Sequence, residues 1–115
     1  MSRTEWRRLF GGTVVVAVMS VSAVARADFM TGNELDAYCA PGSVTQLYCD
    51  GYVAAIADAM KHSPVNREMD CGPPEVTLQQ IVDIVRRFLA AHPEDRHFSA
   101  ESLVADAIAE AFPCR

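Results

Sequence analysis

The sequence predicts an all-α fold, a compact bundle of about four helices cross-linked by two disulfides. Three observations lead there. Apolar residues recur at helical spacing in the two C-terminal segments, helix-start signals are repeated, and four cysteines follow a short apolar leader. No stretch alternates apolar and polar side chains as a half-buried strand would.

The leader is set aside first. "MSRTEWRRLF" carries Arg3, Arg7 and Arg8, "GGTVVVAVMSVSAVA" follows as an apolar run, and "ARA" ends it with small residues around Arg26. Charged start, short apolar middle and small-x-small end describe a secretory signal peptide over residues 1–27, cut after Ala27. The apolar run falls short of the roughly 20 residues that span a bilayer. "RRLF" bears a faint likeness to a twin-arginine export signal, and the choice between the two export routes stays open. The expected mature domain is 28–115, 88 residues with six basic and fourteen acidic side chains, a formal charge of −8. Such a surface repels phosphate backbones and anionic lipid, so neither nucleic acid nor membrane is an expected partner after cleavage. A basic partner would be attracted.

Cys39, Cys49, Cys71 and Cys114 all lie in the exported part. An even count in a small secreted domain reads as two disulfides, and none of the gaps fits the short paired spacing of a zinc site. A domain this size buries only about 60–65% of its unfolded surface, so cross-links matter to it. Three pairings are open. Cys49 with Cys71 and Cys39 with Cys114 is preferred, because the second bridge would join the chain ends.

The helices follow in order. "TGNE" sets Thr31 as N-cap with Glu34 answering, a capping box that opens the first helix through about Cys39. "APG" breaks it, and "SVTQ" repeats the device with Ser43 and Gln46, opening a second helix through about Lys61. "VTLQQ" repeats it again with Thr77 and Gln80. In the third helix Leu78, Ile81, Val82, Val85, Phe88 and Leu89 share one face, cations gather toward its end, and Pro93 stops it. Ser99 opens the fourth, where Ala100, Leu103, Val104, Ala107, Ile108, Ala111 and Phe112 keep the pattern while Glu101, Asp106 and Glu110 face out. Phe98, just before that cap, is placed to staple onto Leu103. Gly51 sits mid-helix in the second, where glycine costs about 1 kcal/mol against alanine. With Ala54, Ala55, Ala57 and Ala59 it reads as a small-residue surface for close approach of another helix. Asp58, among apolar neighbours, reads as a rim carboxylate bonded to a loop.

No catalytic set emerges. All four thiols are committed to bridges, no "GxSxG" elbow is present, and the six glycines are scattered. His92 and His97 are five apart across a proline, a poor spacing for paired metal ligands. "AHPEDRHFSA" instead reads as a corner, with the third helix ending at His92, a turn through "EDRH", and Ser99 capping the next helix. No catalytic residue, cofactor or metal is expected. The irregular segment "HSPVNREMDCGPP" is the natural place for partner contacts.

"FMTGNELDAYC", "CDGYVAAIADAM" and "CGPPEVTLQQIVDIVRRFLAAHPEDRHFSAESLVADAIAEAFPC" resemble the Rap/Tai immunity proteins of type VI secretion. The likeness covers nearly all of residues 29–114. It rests on T-G-N-x-L, C-x-G-Y followed by D-A, C-x-P-x-x-V-T, H-P-E-x-R-H and the terminal A-F-P-C. It implies a disulfide-bonded all-α fold, usually a homodimer, that occupies the active cleft of a periplasmic peptidoglycan amidase with a cysteine–histidine pair. Such a protein would be a stoichiometric plug with no chemistry of its own. The loop "KHSPVNREMD" matches the pattern least, which makes His62, Asn66, Arg67 and Glu68 the first candidates for partner specificity. Glu94, Asp95 and Arg96 come second. The alternative is a small periplasmic interaction or chaperone-like module with a different envelope partner.

Overall fold

A computed structural model describes residues 15–18 and 28–115. The leader assignment over residues 1–27 falls, apart from 15–18, outside the described residues. Four α-helices are present among the described residues: α1 (Gly32–Tyr38), α2 (Gln46–His62), α3 (Leu78–Ala91) and α4 (Ala100–Ala111). A 3-10 turn, Pro93–Asp95, joins the last two. Helix α4 packs against the other three, and α3 against α1 and α2. Among the described residues no helix is long and apolar enough to cross a membrane.

Two of the three expected capping boxes form. Thr31 and Glu34 close one at α1, and Thr77 and Gln80 close the other at α3, each side chain meeting the other residue's backbone N–H. The box at Ser43 and Gln46 does not form. The left-handed Gly42 (φ 74°) prolongs the turn, so α2 starts at Gln46 with Thr45 as N-cap. Ser43 Oγ accepts from Thr45 N at 3.2 Å, and Gln46 donates to Asp50 Oδ1 at 2.9 Å. Gln46 also accepts from Arg86, whose Nε donates to the Cys39 carbonyl at the end of α1. That guanidinium satisfies an otherwise orphaned carbonyl and ties three helices together.

The core is drawn from the apolar faces read in the sequence. Ile81, Val82, Val85 and Leu89 of α3 meet Leu103, Val104, Ala107 and Ile108 of α4, with Val53, Ala57 and Met60 from α2 and Leu35 from α1. Leu78 and Phe88 at the edges of the α3 face remain partly exposed.

The preferred cysteine pairing is corrected. Cys39 bonds Cys49 with Cα atoms 5.1 Å apart, and Cys71 bonds Cys114 at 5.2 Å. The turn between α1 and α2 folds back tightly, which puts Cys49, one turn into α2, against the end of α1. The chain end is joined to the long loop instead of to α1. Cys39 and Cys49 are buried in the core, whereas Cys71 and Cys114 are exposed.

Three smaller expectations change as well. Asp58 is exposed, on the outer face of α2, and bonds no loop among the described residues. Phe98 does not fold down as a staple; it stays half exposed and its ring lies 4.1 Å from that of His97. Gly51 is exposed, and a Cβ added there would meet nothing within 4 Å. Among the described residues no other helix approaches it, so its helical cost goes unreturned there. Gly51→Ala is expected to raise unfolding stability by about 0.5–1 kcal/mol in urea titration. A loss of stability would mean that the position is packed in the folded state.

Candidate functional site

The candidate surface is built where the corner after α3 meets the start of α1. His92 caps α3, and its Nδ1 lies 2.8 Å from the Phe88 carbonyl, an acceptor only, so Nδ1 carries the proton. The turn closes through Asp95 N to His92 O (3.1 Å) and Phe98 N to Asp95 O (2.9 Å). Its outward carbonyls then receive amides from the first turn of α1: Gly32 N donates to Phe98 O at 2.9 Å and Asn33 N to Arg96 O at 2.8 Å. Helix starts leave such N–H groups without partners, and the corner supplies them. Arg96 adds a salt bridge to Asp36 of α1, Nη1 to Oδ2 at 3.0 Å. Thus "HPEDRH" is an architectural joint. His92 packs on Phe88 on one side of it, while His97 faces a groove on the other. Among the described residues no three His, Cys, Asp or Glu side chains gather as metal ligands.

The loop after α2 contributes a second feature. Val65 and Glu68 exchange both backbone hydrogen bonds at 2.9 Å, which leaves Asn66 (φ 49°) and Arg67 (φ 66°) as a two-residue turn. Both residues are left-handed, as a type I′ turn demands. Asparagine tolerates this, whereas for arginine it costs about 1 kcal/mol. The tip is held from several directions. Asn66 Nδ2 donates to Asp106 Oδ1 of α4 at 3.3 Å, Asp70 N donates to Met60 O at 3.1 Å, and the Cys71–Cys114 bridge fixes the far side. The result is a small pinned hairpin with Arg67 exposed at its end.

Between the tip and the corner runs a groove of about 780 Å³. Asp28, Glu34, Asp95, Glu101 and Asp106 line it, together with His97, and among the described residues no lysine or arginine does. Phe29, fully exposed, and Phe98 stand in its lining. The negative field reaches Tyr52 on α2. Burial first, then the carboxylates of Glu101 and Asp28 and the phenol of Tyr48, push its hydroxyl up to about 12, against a smaller opposing hydrogen bond with the Glu101 backbone. Because the folded-state value lies above the unfolded one, this group's stabilising contribution is complete below pH 10. It is lost as pH rises toward 12. An ultraviolet titration of tyrosine is therefore expected to contain a late phase that Tyr52→Phe removes. Persistence of that phase in the variant would contradict the assignment.

Of the residues singled out from the sequence, Asn66 and Asp95 line the groove, Arg67 projects beside it, and Glu68 holds the base of the tip. Glu94 is exposed on the corner and His62 at the end of α2, both outside the groove lining. Arg96 is engaged with Asp36. Sequence reasoning missed Asp28, Phe29 and Glu34 as groove residues, since only the crossing of α1 over the corner brings them opposite α4. It also missed a second exposed surface, the outer face around the start of α2, where Val44, Leu47 and Tyr48 are 101%, 84% and 59% exposed beside Gly51 and Ala55. The missed signal was the apolar triplet itself, which lies off the buried face set by Cys49, Val53 and Met60.

Comparison with protein families matches the model described as Rap1a immunity proteins over residues 31–114. No curated protein and no solved structure gives a match. The matched span begins at the N-cap of α1 and ends at the last bridged cysteine, so it takes in the corner, the hairpin and α4 together.

Proposed function

Because the chain belongs to the Rap1a immunity protein family, we propose that it is an exported immunity protein that binds and inhibits a peptidoglycan amidase delivered by type VI secretion. The family match carries this reading. The two disulfides support an oxidising compartment, and hence the periplasm after removal of residues 1–27. Inhibition is by occupancy: the pinned hairpin at Asn66 and Arg67 enters the amidase cleft and excludes wall peptides, with no bond made or broken by this chain. A tip already fixed before binding loses little conformational freedom on complex formation, which favours tight association. The exposed apolar surface of Val44, Leu47 and Tyr48 supports a homodimer formed through α2.

The test uses the oxidised protein and a type VI peptidoglycan amidase from the same organism. Cleavage of isolated wall peptides is expected to fall to zero at equimolar protein. Arg67→Glu is expected to weaken inhibition by at least about tenfold, a loss of about 1.4 kcal/mol, without moving the thermal midpoint. Undiminished cleavage at excess folded protein would remove the amidase reading. It would leave the broader one, a helical interaction module with another envelope partner.

A further inference from the structure

The groove beside the hairpin has a chemistry that the plug reading does not use. We infer that it is a docking site for a protein segment that presents a lysine or arginine flanked by apolar side chains. On the reading above, that segment belongs to the amidase, and this inference rests on it for the partner's identity alone.

Charge complementarity selects the occupant. Among the described residues the carboxylates of Asp28, Asp95 and Glu101 accept no side-chain hydrogen bond and no lysine or arginine lines the groove; cleavage after Ala27 would set one α-ammonium, at Asp28, against its five carboxylates. Glu34 and Asp106 add charge, though Glu34 already accepts from both the backbone N–H and the hydroxyl of Thr31, and Asp106 accepts from Asn66. A bare metal ion is not the match, since these groups do not gather as a ligand set. A long cationic side chain is, because it can reach several separated carboxylates and lay its methylenes on a ring. The two phenylalanines specify the flanks. Phe29 is wholly exposed and Phe98 half exposed, an apolar pair separate from the exposed surface of Val44, Leu47 and Tyr48. Covering such a ring is worth about 1.5–3 kcal/mol, and its face also attracts a cation. An apolar segment alone would leave the carboxylates desolvated, and a cationic one alone would leave the rings wet. The groove also ends at Asn66, so one partner can meet the tip and the groove in a single approach.

The probe is acetyl-Leu-Arg-Leu-amide, titrated into isotope-labelled oxidised protein purified after expression of the full chain and followed by amide chemical shifts. The expected result is weak saturable binding, with shifts confined to residues about Phe29, Phe98, Glu101 and Asp106. It should weaken about fivefold in Glu101→Gln, as loss of about 1 kcal/mol implies. Phe98→Ala is expected to weaken it independently, which keeps the test open if one variant fails to fold. Equal shifts with acetyl-Leu-Glu-Leu-amide, or shifts centred on Leu47 and Tyr48, would overturn the inference. So would binding that appears only once the leader is removed, because the groove would then be the leader's own seat. Peptide binding without amidase inhibition would count against the amidase alone and leave the groove assignment standing.

Discussion

Cys71→Ala/Cys114→Ala is expected to cost about 4 kcal/mol of unfolding stability and to disable partner binding even where the helices survive. The bridge closes a loop with a sequence separation of 43, and in the chain-entropy model such a loop contributes about that amount. A domain of this size has only about 4–13 kcal/mol in total, so the loss is a large fraction of it. The functional effect has a separate cause. The bridge holds one side of the segment that carries the hairpin, and the Asn66 bond to Asp106 alone is a single exposed contact. Both sulfurs belong to exposed residues, whereas Cys39 and Cys49 are buried. Thiol exchange requires access, so mild reduction is expected to open Cys71–Cys114 first and reproduce the variant. Peptide mapping of the partly reduced protein and urea titration of the variant check both points. First opening of Cys39–Cys49, or a cost below about 1 kcal/mol, would contradict the account.

Gly32→Ala is expected to destabilise by about 2–3 kcal/mol, although the change adds one methyl group. Gly32 is buried where α1 crosses the corner. A Cβ there would run into the Leu103 side chain and lie 2.9 Å from Arg96 O and 3.0 Å from Arg96 Cα. The leucine end can move aside; the backbone cannot without breaking the bonds from Gly32 N to Phe98 O and from Asn33 N to Arg96 O. Leu103→Ala in the same chain is therefore expected to give no rescue. Full recovery of the urea midpoint in that double variant would place the strain on Leu103 alone and undo the backbone argument.

The contrast between Gly32 and Gly51 marks what was legible in the chain. Helix starts at Thr31 and Thr77 could be read because the groups that satisfy the first turn lie three residues apart in sequence. The faces of α3 and α4 could be read because periodicity is local too. Ser43 misled for the same local reason: its pattern is right, but Gly42 turns the chain before the helix begins. Gly51 was given a packing role from composition, and the monomer puts it in solvent. Gly32, whose packing is tight, depends on a crossing between residues more than sixty positions apart. The groove depends on that same crossing, which is why Asn66, in the loop least like the family pattern, and Asp95, at the corner, could be singled out as partner candidates while Asp28, Phe29 and Glu34 were not. The cysteine pairing failed likewise, because it turns on which end of α2 lies against α1.

The most direct measurement is survival of cells that export the proposed partner, a type VI peptidoglycan amidase, to their own periplasm. Co-expression of this chain with its leader is expected to prevent lysis. The same chain without residues 2–27, confined to the cytoplasm, should give no protection. Lysis that proceeds unchanged beside abundant, oxidised, folded protein in the periplasm would contradict the claim that this bundle protects by binding, and protection by the leaderless chain would contradict its placement.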